Sequence, residues 1–146
     1  MSAEDELAQK VAAALFSKEG PSGLFDVKVL DVKASYARVS MAVTAAMLNG
    51  HGTIHGGLIF TLADTAFAYV CNGANETAVA QQASISFLSP ALEGDVLIAE
   101  ARERAVEGRT GVSEVVVTRS DGRTVAIFQG LSRRLGRPVL HPEPGA

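Results

Sequence analysis

From Gly56 to Gly73 the chain holds one charged residue, Asp64, in a run otherwise apolar, small or neutral. A helix over this run is apolar on almost every side and belongs inside a protein. A carboxylate in the middle of a buried helix is costly, and aspartate is a poor interior helix former. Asp64 is therefore expected to face a cleft or a partner. Toward the N-terminus, Leu7, Val11, Ala14 and Leu15 fall at helical spacing, which predicts a short amphipathic helix over about 4–17. Gly20, Pro21 and Gly23 then break the chain. Leu24 to Val43 is rich in valine and alternates in places, as in Tyr36, Arg38 and Ser40 against Ala37, Val39 and Met41. Two antiparallel strands turning near Lys33–Ser35 fit this pattern.

Gly73 supplies a stop for the long helix. Beyond it the pattern is β throughout. Residues 76–88 alternate Ser84 and Ser86 with Ile85 and Phe87, and Pro90 closes the run. Strands are expected at 95–106, 110–119 and 123–135, with Gly108 as one turn and Asp121-Gly122 as a hairpin signal. The order helix, two strands, long helix, four strands lacks βαβ alternation and predicts an α+β fold with an antiparallel sheet. Its one apolar helix calls for a sheet curved around it, within a single domain over 1–146. The helix's far side stays open unless a second subunit covers it, so a homodimer is expected. The tail GRPVLHPEPGA, from 136 on, is expected to fray, leaving His141 solvated.

Composition narrows the field. The 146 residues are 47% apolar and 20% charged, ordinary for a globular chain. A net charge of -3 gives no electrostatic footprint for nucleic acid. No apolar run reaches the ~20 residues of a membrane span, and the opening MSAEDELAQK is too acidic for a signal peptide. The single cysteine, Cys71, forms no internal disulfide, which fits a reducing cytoplasm. Near a helix C-terminus its thiolate is disfavoured, so it reads as a small buried apolar residue.

The candidate chemistry lies where the long helix begins. His55-Gly56-Gly57 places glycines at a helix N-terminus, where backbone N–H groups are unpaired and the dipole favours negative charge. Such donors, which a substrate can approach closely over glycine, meet the specification of an oxyanion hole. Asn49 and His55 offer additional side-chain donors. Asp64 lies on about the same helix face as Gly57, but ~10 Å further along the axis. Reacting groups must approach within ~3–3.5 Å, so a shared site has to combine the loop of one subunit with Asp64 of its partner. His51 and His55 are four apart without a metalloprotease glutamate, so zinc is not expected. There is no G-x-S-x-G elbow and no dinucleotide fingerprint. Phe60, Phe67 and Tyr69 read first as packing residues, with Phe60 or Tyr69 as possible pocket lining.

Asn49, the HGG triplet, Asp64, the run ADTAFAYVCN and a strand ending in FLSP together resemble the hotdog-fold acyl-CoA thioesterases, nearest to the phenylacetate-degradation (PaaI-type) branch. The resemblance extends from about Leu24 to Leu135. It implies a long helix wrapped by an antiparallel sheet, a dimer with two intersubunit sites, and commonly a tetramer. By position, Asp64 matches the catalytic carboxylate and Gly56 the glycine whose N–H polarises the thioester carbonyl. His55 and Asn49 match groups that orient the loop, substrate or water. The substrates implied are aryl-acetyl thioesters of coenzyme A, often ring-hydroxylated, hydrolysed without metal or bound cofactor.

Related enzymes often carry Ser or Thr near positions 80–82, where this chain has Ala80-Gln81-Gln82. A glutamine amide is a candidate substitute, so Gln81 and Gln82 join Gly57 and Phe60 as candidate substrate contacts. Arg133 and Arg134, with Arg137 beside them and Arg102, Arg104 and Arg109 behind, are candidates for the coenzyme A phosphates. Three other readings stand beside the aryl-acetyl thioesterase: a non-turnover acyl-CoA-binding or sensing module, a thioesterase for medium-chain acyl-CoA, and a hotdog dehydratase or hydratase. An ion-paired Asp64 away from any cleft would favour the binding module.

Overall fold

A computed structural model describes residues 1–141. Helix α1 spans Ala3–Phe16, capped by the Ser2 hydroxyl accepting the Asp5 N–H at 3.1 Å. Glu4, Asp5 and Glu6 in its first turn complement the helix dipole. Its buried face is Ala8, Val11 and Ala12, rotated from the expected one toward smaller side chains. The reason is close packing: a Cβ on Gly73 would lie 3.6 Å from Ala8 Cβ. The Gly-Pro-Gly punctuation does not leave a bare loop. Gly20–Leu24 forms one short helix, α2, with Pro21 in its first turn and Glu19 at its N-cap.

Strands β1 (Lys28–Lys33) and β2 (Tyr36–Ala42) follow, joined at a turn where Ser35 takes a φ of 60°. After a short 3-10 turn comes α3 (Gly56–Asn72), then β3 (Ala78–Phe87), β4 (Val96–Glu107), β5 (Thr110–Arg119) and β6 (Thr124–Arg134). All pairings are antiparallel, in the order β1-β2-β4-β5-β6-β3. The expected α+β architecture and its strand boundaries therefore hold to within a few residues. Gly122, at φ 87°, makes the Asp121-Gly122 turn.

Helix α3 lies against one face of this sheet. Ala37, Val39 and Met41 on β2, Leu97, Ala99 and Ala101 on β4, and Val115 and Val117 on β5 are buried in alternation. Gly130 on β6 exists for the helix: a Cβ there would sit 2.6 Å from the Phe67 ring. Phe128 stacks at 5.7 Å from Phe67 and 5.3 Å from Phe60. Ten α3 residues are buried, but Gly57, Thr61, Asp64 and Ala68 form an open stripe at helical spacing.

The far end of α3 is closed by Asn72, whose amide donates to Ala68 O (2.9 Å) and Ala78 O (3.2 Å) and accepts the Ala78 N–H (2.8 Å). Gly73 keeps right-handed backbone, and the positive φ of the turn falls on Asn75 (62°). Asn75 also corrects the expectation of a frayed tail over part of its length. Its side-chain oxygen accepts the N–H groups of Val139 (3.1 Å) and Leu140 (2.9 Å), while Thr77 N–H reaches Arg137 O at 2.7 Å. His141 is exposed, and 142–146 lie outside the described residues.

Candidate functional site

The loop before α3 is built by Asn49. Its side-chain oxygen accepts the N–H of His51 (2.8 Å) and Thr53 (3.3 Å), and its amide donates to Thr53 Oγ1 (3.1 Å). Backbone bonds from Asn49 N–H to Thr53 O (2.7 Å) and from Gly52 N–H to Asn49 O (3.1 Å) close the turn, with Gly52 at φ 80°. His55 N–H is held by Met47 O at 2.8 Å. These bonds fix the loop before any ligand arrives.

The two glycines have separate roles. His55 is the N-cap, and its Nδ1 accepts the Gly57 N–H at 2.9 Å. In the neutral ring the proton then sits on Nε2, a donor on an exposed side chain. The imidazole lies so close over Gly57 that a Cβ there would be 3.0 Å from Nδ1. The N–H of Gly57 is thus already used. That of Gly56 has no hydrogen-bond partner among the described residues. Helix N-termini leave such donors by geometry, and Gly56 lines a cavity of about 380 Å³ together with Asn49, Ile59, Phe87, Leu88 and Pro90.

Asp64 stands half-buried on the open stripe of α3 and forms no hydrogen bond or ion pair among the described residues. Burial raises its pKa above the ordinary value, and the carboxylate of Glu19 raises it further. Glu19 escaped the sequence reading, since nothing local marks a glutamate before a Gly-Pro turn. It accepts hydroxyl hydrogen bonds from Ser22, from Thr65 (3.3 Å) and from Tyr69 (3.2 Å). It therefore docks the α1–α2 corner on α3 beside Asp64. Tyr69 is buried in this cluster, with its pKa pushed well up by burial and by Glu19.

The other candidates fall in several places. Phe60 is half-buried against Phe128, so its ring belongs mostly to the core. Gln81 and Gln82 are exposed on β3, the outer strand of the sheet. Register shifts between Ala80 and Gln82, making Gln81 the extra residue of a bulge. That bulge changes the phase of the strand. Ala78 faces the core before it, and Ala83 and Ile85 face the core after it. Arg134 pairs with Glu76 at 3.2 Å near the C-terminal end of α3, whereas Arg133 is exposed and makes no ion pair among the described residues. Arg102 and Arg104 are paired with Glu100 and Glu114. Cys71 is buried, and burial pushes its thiol up to about 12.

A groove of about 630 Å³ lies between α1 and β1 and contains none of the candidate residues. No helix among the described residues is long and apolar enough to cross a membrane.

The sequence and fold are shared with known proteins. Residues 51–126 match the thioesterase superfamily. The acyl-coenzyme A thioesterase PaaI of Escherichia coli (strain K12) is 41% identical over 128 residues, 88% of this chain and 91% of that one. The structure of the E. coli PaaI protein, from the phenylacetic acid degradation operon, superposes with a TM-score of 0.90 at 39% identity. That match covers 92% of this chain and 97% of the other. A hypothetical thioesterase of Streptococcus pneumoniae, solved with coenzyme A, gives a TM-score of 0.74 at 26% identity, over 77% and 90% of the two chains. The chain belongs to the thioesterase superfamily and is a hotdog-fold enzyme of that class.

Proposed function

We propose that this enzyme hydrolyses acyl-CoA thioesters, with aryl-acetyl groups as the preferred acyl class, at a site completed by a second copy of the chain. One observation carries the reading. An unpaired carboxylate of raised pKa and an unpaired N–H donor lie on one helix, Asp64 and Gly56, separated by eight residues or ~12 Å of rise. They meet on one carbonyl only if two helices face each other. The open stripe on α3 and the free outer edge of β3, ten residues long, give a second copy a surface to cover. Tetramer formation from two such dimers is part of the same proposal, with light scattering as its test.

In this site the thioester carbonyl oxygen accepts the Gly56 N–H of one subunit. Asp64 of the other takes a proton from water, whose oxygen attacks the carbonyl carbon. Alternatively Asp64 attacks directly, and water then hydrolyses the mixed anhydride. In either route negative charge develops on the carbonyl oxygen, where the fixed N–H is worth most. Collapse breaks the C–S bond and releases the coenzyme A thiolate with the free acid. Asn49 holds the loop and lines the cavity, with one amide hydrogen beyond the one given to Thr53. His55 holds the second glycine and presents Nε2–H.

The chemistry calls for no metal or bound cofactor, since coenzyme A is part of the substrate. A cytoplasmic setting, where acyl-CoA esters occur, belongs to the same reading. Of Arg133 and Arg134, Arg133 is the better candidate for a coenzyme A phosphate, since it makes no ion pair among the described residues. Arg133→Ala should raise KM for a CoA ester more than for a pantetheine analogue.

The similarity to E. coli PaaI supports the aryl-acetyl preference, and the absence of an ion pair on Asp64 favours turnover over a binding module. Thiol release across phenylacetyl, ring-hydroxylated phenylacetyl, benzoyl and straight-chain CoA esters tests it, with Asp64→Asn alongside. Aryl turnover that collapses in the variant supports the proposal. Binding without hydrolysis overturns it in favour of the binding module.

A further inference from the structure

Phe87 ends β3, paired with Ala126, and Leu88 N–H continues the contact to Val125 O at 2.8 Å. Strand alternation puts Phe87 on the same face as Ile85, toward α3, and its side chain reaches Gly56 at the start of that helix. Ring atoms lie 3.0, 3.3 and 3.5 Å from where a Cβ on Gly56 would be. The ring is nevertheless 53% exposed, and Leu88 next to it is 57% exposed. Both line the 380 Å³ cavity that Gly56, whose N–H has no partner among the described residues, also lines. Its walls are hydrocarbon from Ile59, Phe87, Leu88 and Pro90, and its polar groups include Asn49 and that donor. Apolar walls with a few placed polar groups are the usual make-up of a small-molecule pocket.

We infer that Phe87 is a specificity-determining residue, its ring forming the wall against which the acyl group of the thioester packs. The inference rests on the thioesterase reading and adds to it the side of the substrate this cavity holds. A carbonyl oxygen bound to Gly56 N–H at about 2.9 Å brings the acyl carbon within a few ångströms of the ring. The pantetheine arm is the other neighbour of that carbon, but it carries amides that need hydrogen-bond partners. Hydrocarbon walls would leave those amides unsatisfied. An aromatic acyl group has no such requirement and gains an edge or offset contact with Phe87. The first glycine of the triplet therefore serves two ends, leaving a backbone donor open and letting the ring close over it.

The test compares kcat/KM for phenylacetyl-CoA and acetyl-CoA in the native enzyme, Phe87→Ala, Phe87→Leu and Asp64→Asn. The expected result is a fall of about tenfold in the phenylacetyl-to-acetyl ratio for Phe87→Ala. Phe87→Leu should fall between, since it keeps an apolar wall without an aromatic face. Melting temperature and light-scattering mass of the Phe87 variants should match the native values. An unchanged ratio overturns the inference while leaving the thioesterase intact, provided Asp64→Asn is inactive. Dissociation of Phe87→Ala into monomers also overturns it, because the ring would then be an interface residue. Absence of CoA-ester hydrolysis in the native enzyme overturns both readings.

Discussion

The two ends of α3 handle their unpaired backbone groups in opposite ways. At the C-terminal end, Asn72 makes bonds of 2.8–3.2 Å to Ala68 and to both backbone groups of Ala78. Cys71 beside it is buried, and burial pushes its thiol up. At the N-terminal end, His55 satisfies the Gly57 N–H and leaves that of Gly56 free beside a cavity. A protein built only for stability would cap both ends alike. The proposed site rests on this difference: one end is tied down by side-chain bonds, and the other keeps an N–H for the proposed thioester carbonyl.

The largest expected effect comes from the open face. Asp64→Asn should lower kcat by about 10²–10⁴-fold, read by thiol release. The same substitution should raise the melting temperature at neutral pH. Asp64 has a folded pKa above its ordinary 3.8, so its ionisation opposes folding. The native protein's deficit is absent below the unfolded pKa, grows as pH rises from there toward the folded pKa, and is complete above it. The gain in Asp64→Asn should therefore vanish in acid, and a gain that persists there would contradict the assignment. Native kcat/KM should likewise fall on acidification at a midpoint above 3.8.

The closed end should behave in reverse. Asn72→Ala leaves the buried Ala78 N–H without its partner and should cost about 2–3 kcal/mol in urea unfolding, with kcat/KM of the folded enzyme little affected. A large catalytic loss in the folded variant would erase the distinction between the ends. His55→Ala removes the cap at the other end and should cost about 1 kcal/mol. His55→Asn should recover that stability more than the activity, because asparagine caps but presents no imidazole Nε2–H. The smallest effect expected is electrostatic. Glu19→Gln removes the second cause of the raised Asp64 pKa and should move the acidic limb of the rate profile downward. An upward movement would show that Glu19 acts otherwise.

Much of this was readable along the chain. Alternation placed the strands, the lone Asp64 in an apolar run marked the helix and its open stripe, and Asp121-Gly122 marked a hairpin. The loop residues Asn49, His55, Gly56 and Gly57 stood out because glycines before an apolar helix expose backbone donors. The structure separated the two glycines, one with its N–H capped by His55 and one with its N–H free. It also moved Phe60 largely into the core and brought Phe87 to the loop in its place.

Local periodicity determines what forms between neighbours: helix, strand, turn, and which face is apolar. It is insensitive to contacts between segments far apart in the chain. The ring of Phe87 over Gly56, the carboxylate of Glu19 against Thr65 and Tyr69, and the bulge at Gln81 all depend on such contacts. Each arises because the sheet and the α1–α2 corner close on one helix. Which strand end and which acidic side chain arrive there is set by strand order and register, which only the folded chain possesses.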